Sequence, residues 1–339
     1  MALIALAAVA WGTGGAVAAV LYRTSGLGPM AVSYWRFVIG ALVLAVCLGL
    51  RRAGRRASTR RVTARATVAR TATGHAERDG TTPTEAGAGV AAHGAVVRTG
   101  AGGVSVARRG VLRRLLMVIA TGVGLAVYQS AFYFSIAETG LAVATVVTLG
   151  AGPILIAVGA RVFLAERLGH AGAAAITLAL SGLVALSLDS GTTGPNPALG
   201  IAYALSSALG YAVVTLIGRA TDAGGDPFET SLTGFLVGGI VLTPFALAEG
   251  VLPSMTGLPV TIGWLLYLGV VASALAYGLF FAGLAHVSAT TAAIVTLLEP
   301  VAAAVLAVTF LGEHLTPAVL TGMLLLLGAV AALARPSRR

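Results

Sequence analysis

PILIAVGARVFLAERL, residues 153–168, and PVAAAVLAVTFLGEHL, residues 300–315, are two copies of one pattern. At an offset of 147 positions, eight of the sixteen residues are identical, among them Pro153 with Pro300, Phe163-Leu164 with Phe310-Leu311, Glu166 with Glu313 and Leu168 with Leu315. Small apolar alphabets match by chance, but a proline and a glutamate held thirteen residues apart are harder to obtain that way. Earlier in each copy the offset becomes 198, with Pro29 on Pro227, Ser33 on Ser231, Phe37 on Phe235 and Gly40 on Gly238. The offsets differ by 51 residues, the net length that the first copy gained between these two stretches.

Around the repeated stretch the chain is oily. Hydrophobic residues make up 57% of its 339 positions and charged residues 10%, against about 25% charged in an ordinary globular domain. Such a chain cannot solvate a normal protein surface, which excludes a typical soluble enzyme and a disordered tail. Ten apolar runs stand out: 2–21, 29–50, 115–137, 141–164, 171–188, 199–217, 228–247, 259–285, 288–311 and 318–334. Most have the roughly 20 residues that a helix needs to cross a hydrocarbon core. They are continuously apolar, whereas barrel strands would alternate, so they read as helices. The first run lacks a basic start and a small-residue cleavage site, so it is retained as a span. Five is an odd number, so the second copy must enter the membrane from the opposite side. The expected fold is an all-α polytopic membrane protein of ten transmembrane helices in two inverted five-helix repeats, residues 1–188 and 189–334. That architecture belongs to secondary transporters, with binding near the midplane at the repeat interface.

The net charge of +10 has one source. Residues 51–114 hold fourteen arginines and three acids, and the remainder of the chain nets −1. This basic segment, residues 51–114, is an insertion into the first repeat, expected to be a disordered cytoplasmic loop, above all in its Gly/Ala/Thr-rich middle from Thr71 to Gly103. Arginines are retained inside, so the insertion, the tail 335–339 and both termini are expected on the cytoplasmic face. Eight spans separate insertion and tail, an even number, as that placement requires. Arginines beside a membrane helix attract anionic headgroups by about 1 kcal/mol each. The segment has no aromatics for base stacking, which argues against nucleic acid. Cys47 is the only cysteine, so neither a disulfide nor a zinc site is expected, and no cofactor motif is present.

Few ionisable groups remain within the oil, and an intramembrane ionisable residue is a functional hypothesis by default. Glu299 lies eleven residues after Ser288, about 16 Å into its span. It reads as a proton or substrate-amine site, or else as a carboxyl serving backbone freed by Pro300. Arg36 lies seven residues into the second span, about 10 Å deep, within a long side chain's reach of Glu299. The two are expected to pair in one state, while the alternative is an arginine snorkelling to headgroups. Trp11, Tyr128, Gln129, Tyr211 and Tyr277 are further substrate-binding candidates, offering cation–π faces or hydrogen bonds. Tyr203 is a weaker one. Pro153 and Pro300 are expected as hinges, each removing a helical hydrogen bond. Glu166 and Glu313 read as structural caps of the helix that follows, and Glu138, Asp189 and Glu249 as solvated end residues. Gly234 and Gly238 read as packing contacts.

The first span carries Ala10-Trp11-Gly12-Thr13, the second Arg36-Phe37 before an aliphatic run, and each repeat a proline followed by Phe-Leu-small-Glu-x-Leu. Everything outside the basic segment thereby resembles the drug/metabolite transporter superfamily, EamA type. The resemblance implies a ten-helix carrier of the bacterial cytoplasmic membrane, with the first to fourth and sixth to ninth spans around a cavity and the fifth and tenth peripheral. It implies a transporter rather than an enzyme, exporting amino-acid-like or other amphipathic small metabolites by alternating access, with protons as a coupling partner. A homodimer is a further partner that the sequence allows. The alternative function is a membrane-embedded binding or receptor protein without turnover. No ATP-binding motif GxxxxGK[ST] is present, so the chain alone is not a primary pump.

Overall fold

Alanine, leucine and valine without interior polar breaks leave the backbone no partners but itself, and the chain folds accordingly into helices. The computed structural model describes residues 1–76, 101–139, 141–187, 195–221, 226–254, 257–311 and 316–334. Among them the elements are α1 (Ala2–Thr24), α2 (Pro29–Ala76), α3 (Ala101–Thr139), α4 (Leu141–Phe163), α5 (His170–Ser187), α6 (Pro197–Thr221) and α7 (Pro227–Glu249). Then follow α8 (Leu258–Gly269), a π-helical turn (Val270–Leu275), α9 (Ala276–Leu284), α10 (Ala289–Thr296), α11 (Leu298–Leu311) and α12 (Pro317–Ala334). Among the described residues eight helices are long and apolar enough to cross a membrane, and His170–Leu186 and Pro317–Ala332 are shorter apolar helices. Large apolar side chains face outward along them, such as Ile240 and Phe163. In water that surface would be costly, but against lipid tails it is not, so the molecule is a multi-pass membrane protein.

Two compact units divide the chain. One comprises Met1–Ala45 and Leu115–Arg339, the other Val46–Arg114. The second contains the C-terminal part of α2 and the N-terminal part of α3. The expected cytoplasmic loop without fixed structure is therefore corrected at both ends: residues 51–76 and 101–114 are helical. Arginine and alanine are strong helix formers, and no proline interrupts either stretch. Residues 77–100, the centre of that expectation, lie outside the described residues, as do 335–339.

Within the larger unit the helices approach closely, and the contacts come in reciprocal pairs. Phe37 of α2 stacks on Phe235 of α7, with centroids 5.1 Å apart and planes 13° from parallel. A Cβ on Gly40 would stand 2.8 Å from the Phe235 ring, and one on Gly238 would stand 2.7 Å from the Phe37 ring. Gly122 of α3 abuts Val237, and Gly269 of α8 abuts Ile39. Each pair joins positions related by the sequence offsets. α1 packs on α11 as α6 packs on α4, and α5 packs on α12. Gly234 abuts Leu125, so the Gly234/Gly238 stripe is spent on contacts within the chain.

Candidate functional site

Between these helices lies a cavity of about 90 Å³, lined by residues of α1, α2, α3, α4, α6, α9, α10 and α11. It exceeds several-fold the roughly 10–15 Å³ that one water needs, so it has room for several waters or a small solute. Trp11, Arg36, Tyr128, Gln129, Tyr211, Tyr277 and Glu299, chosen from the sequence, all line it. Among the described residues, helices α5 and α12 contribute none to the lining.

One wall is aromatic. Trp11 meets Tyr277 edge-on at 5.0 Å and Phe280 at 5.4 Å, and Tyr128 lies 5.4 Å from Tyr211. Trp11 reaches this position because Gly12 lets α1 touch α11. A Cβ at Gly12 would stand 2.6 Å from the Glu299 carbonyl oxygen and 2.8 Å from Ala302 Cβ. The Trp11 indole N–H is buried and has no hydrogen-bond partner among the described residues. An orphan donor of this kind carries a desolvation cost that a ligand acceptor would relieve. Tyr203 stacks on Phe134 at 5.6 Å and does not line the cavity.

The two charges share the cavity without touching. Arg36 is 9% exposed. Its Nε donates to Ser273 Oγ and its Nη2 to the Ala272 carbonyl, each at 3.3 Å. Glu299 sits in the first turn of α11, and its carboxylate has no hydrogen bond or ion pair among the described residues. A helix start favours negative charge. Gln129 is 7% exposed and lines the same space.

The matched prolines act differently. Helix α4 runs through Pro153, while the corresponding span is interrupted at Leu297, three residues before Pro300. Proline has no N–H, so Pro153 leaves the Leu149 carbonyl and Pro300 leaves the Thr296 carbonyl without its helical donor. Leu149 and Thr296 both line the cavity, and they are 147 residues apart. The Thr296 hydroxyl donates to the Ala293 carbonyl at 2.7 Å and lies 2.8 Å from the Tyr211 hydroxyl, which must therefore be the donor between them.

Two glutamates read as caps or solvated ends are tied across the molecule. Glu166 does not cap the following helix α5. Ala165 takes a left-handed conformation with φ 54°, turning Glu166 toward α6 and α10. There its carboxylate pairs with Arg219 Nε at 3.0 Å and accepts from the Ala289 N–H at the start of α10. Glu249 is not merely solvated either, since it accepts from the Ala31 N–H at 2.8 Å and so caps α2. Glu313, His314 and Asp189 lie outside the described residues. Among the described residues no cluster of metal-binding side chains occurs.

Sequence reasoning missed Tyr133, Thr296 and Ser273. The first two line the cavity, and Ser273 holds Arg36. The only available signal for Ser273 was a lone hydroxyl in the otherwise apolar run 270–276.

A multi-pass helical membrane protein enclosing an aromatic, charged cavity suits the movement of small solutes. Residues 198–335 match the model of the EamA-like transporter family. The uncharacterized transporter YwfM of Bacillus subtilis is 34% identical over 224 residues, covering 66% of this chain and 75% of that protein. An uncharacterized protein of Pseudomonas aeruginosa is 31% identical over 212 residues, covering 62% of this chain and 71% of that one. A crystal structure described only as that of a protein shares the fold, with TM-score 0.68 and 17% identity over 98% of this chain and 95% of that one. The chain belongs to the EamA-like transporter family of the drug/metabolite transporter superfamily, and is a membrane transporter.

Proposed function

We propose that the protein is a ten-span secondary carrier of the cell membrane that exports small amphipathic, amino-acid-like solutes by alternating access. Its two five-helix halves are inverted repeats about an axis near the Phe37–Phe235 stack. The reciprocal contacts at offsets 147 and 198 support this reading, because a two-fold relation makes each contact recur with its partners exchanged. Both termini and the basic segment face the cytoplasm, where the arginines meet anionic headgroups.

The carrying observation is that one cavity between the halves unites Arg36, Glu299 and an aromatic wall. Arg36 takes the anionic end of the solute and Glu299 the amino end or a proton, while Trp11 and Tyr277 face its apolar or cationic part. Pro153 and Pro300 are the hinges, each four residues after a cavity-lining residue, Leu149 and Thr296.

The test is flux of a panel of radiolabelled amino acids through proteoliposomes under an imposed pH gradient, with Glu299→Gln in parallel. Gradient-driven flux that the substitution uncouples is expected. Flux in Glu299→Gln equal to the parent at every pH sinks the coupling role. Saturable binding without flux would instead favour a receptor.

A further inference from the structure

Arg36 is a buried cation with no carboxylate within ion-pairing distance among the described residues. What it has instead is the π-helical turn Val270–Leu275. In a π turn the backbone is wound more widely than in an α-helix, and such turns are frequent at functional sites. Ser273 is fully buried there and donates its single hydroxyl proton to the Leu268 carbonyl, five residues back, at 2.8 Å. With its proton spent, the hydroxyl has only lone pairs for Arg36 Nε, and the neighbouring Ala272 carbonyl takes Nη2. The guanidinium therefore lies across both residues, with two of its five donors used among the described residues and the others left for the cavity that Arg36 lines.

The repeat supplies a comparison. At offset 198 the counterpart of Arg36 is Gly234, and at offset 147 the counterparts of Ala272 and Ser273 are Leu125 and Ala126. In that half Gly234 rests against the Leu125 side chain, and α3 is α-helical throughout. The widened turn and its hydroxyl thus occur where the arginine occurs.

We infer that Ser273 is the positioning residue for Arg36: its hydroxyl and the Ala272 carbonyl form a seat that aims the guanidinium into the cavity. Both bonds exceed the usual length of about 2.9 Å, so the seat orients the arginine and still lets it swing to another partner. This goes beyond the transport reading and is testable without a substrate.

Methylglyoxal, a small arginine-directed dicarbonyl, is applied to the purified full-length protein, and the Arg36 adduct is followed by mass spectrometry. Arg219, paired with Glu166, is the internal reference. Removing a hydrogen bond to a charged group shifts such a population about tenfold or more. Ser273→Ala is expected to form the Arg36 adduct about tenfold faster, and Ser273→Thr, which keeps the hydroxyl, at the parent rate. Should Ser273→Ala not survive extraction, Ser273→Cys carries the same expectation at smaller size, the thiol being a weak hydrogen-bonding group. An unchanged rate in these variants overturns the seat, as does an equal increase in Ser273→Thr. If the seat stands while no amino acid is transported, the transport reading fails and this inference does not.

Discussion

The two copies of the sequence repeat make matching packing contacts and differ at the positions that carry the cavity charges. Phe37 and Phe235 are paired in sequence and stack on each other, and Gly40 meets the Phe235 ring as Gly238 meets the Phe37 ring. The cavity charges are not so paired. Arg36 has Gly234 as its counterpart, and Glu299 has Gly152. Around the proline that follows, α4 continues unbroken where α10 and α11 are separated at Leu297. Duplication supplies packing, which tolerates symmetry. On the proposed reading an asymmetric solute needs each charge once, and the glycine counterparts serve packing instead, Gly234 against Leu125 and Gly152 against Tyr211.

The largest effect is expected from breaking the scaffold where it meets the site. Gly12→Leu drives a side chain into the Glu299 carbonyl and Ala302, so it should abolish folded protein, read as loss of a monodisperse peak in detergent chromatography. Next comes the asymmetry itself. Arg36→Gln and Glu299→Gln should each lower flux by about a hundredfold, as loss of a charged partner at a buried site does. Glu299→Gln should also flatten the dependence of flux on pH. A wild-type pH profile in that variant would move the proton site elsewhere.

The symmetric positions sharpen the comparison from the other side. Gly40→Ala and Gly238→Ala should each destabilise by about 1–3 kcal/mol through overpacking, and by similar amounts, because each presses on the same stack. Thermal unfolding checks this, and a large inequality would show that the pairing is not two-fold. Thr296→Val removes the acceptor of the Tyr211 hydroxyl and should weaken solute affinity about fivefold, measured as a rise in KM. Glu166→Gln should cost least, about 0.5–1 kcal/mol of thermal stability, since its ion pair is partly exposed.

Much of this was legible in the chain because lipid is a strict solvent. A run of about 20 apolar residues has few alternatives to a helix, and a lone Glu299, Arg36 or Gln129 among such runs costs too much to lie idle. The aromatic candidates were harder, since Tyr203 and Tyr211 have equally apolar neighbours. Only packing distinguishes the one on Phe134 from the one on Tyr128. Glu166 was read as a cap for the helix that follows it, because local rules see neighbours in sequence. Its partners are 53 and 123 residues away. The extension of α2 and α3 into residues 51–114 was masked by the charge of the segment, although its arginines and alanines favour helix.

The helices, the repeat with its two offsets and the short inventory of polar groups left in the oil follow from the chain alone. Hydropathy and spacing are properties of the chain, and the hydrocarbon core acts on each span alone. It takes the packed helices to bring seven distant residues to one cavity, and to rest Arg36 on a π-helical turn, bonded to Ser273, instead of on Glu299. A π turn differs from an α turn by where hydrogen bonds close, and VVASAL carries no periodicity that separates them. The orientation of Arg36 depends on a hydroxyl more than two hundred residues away.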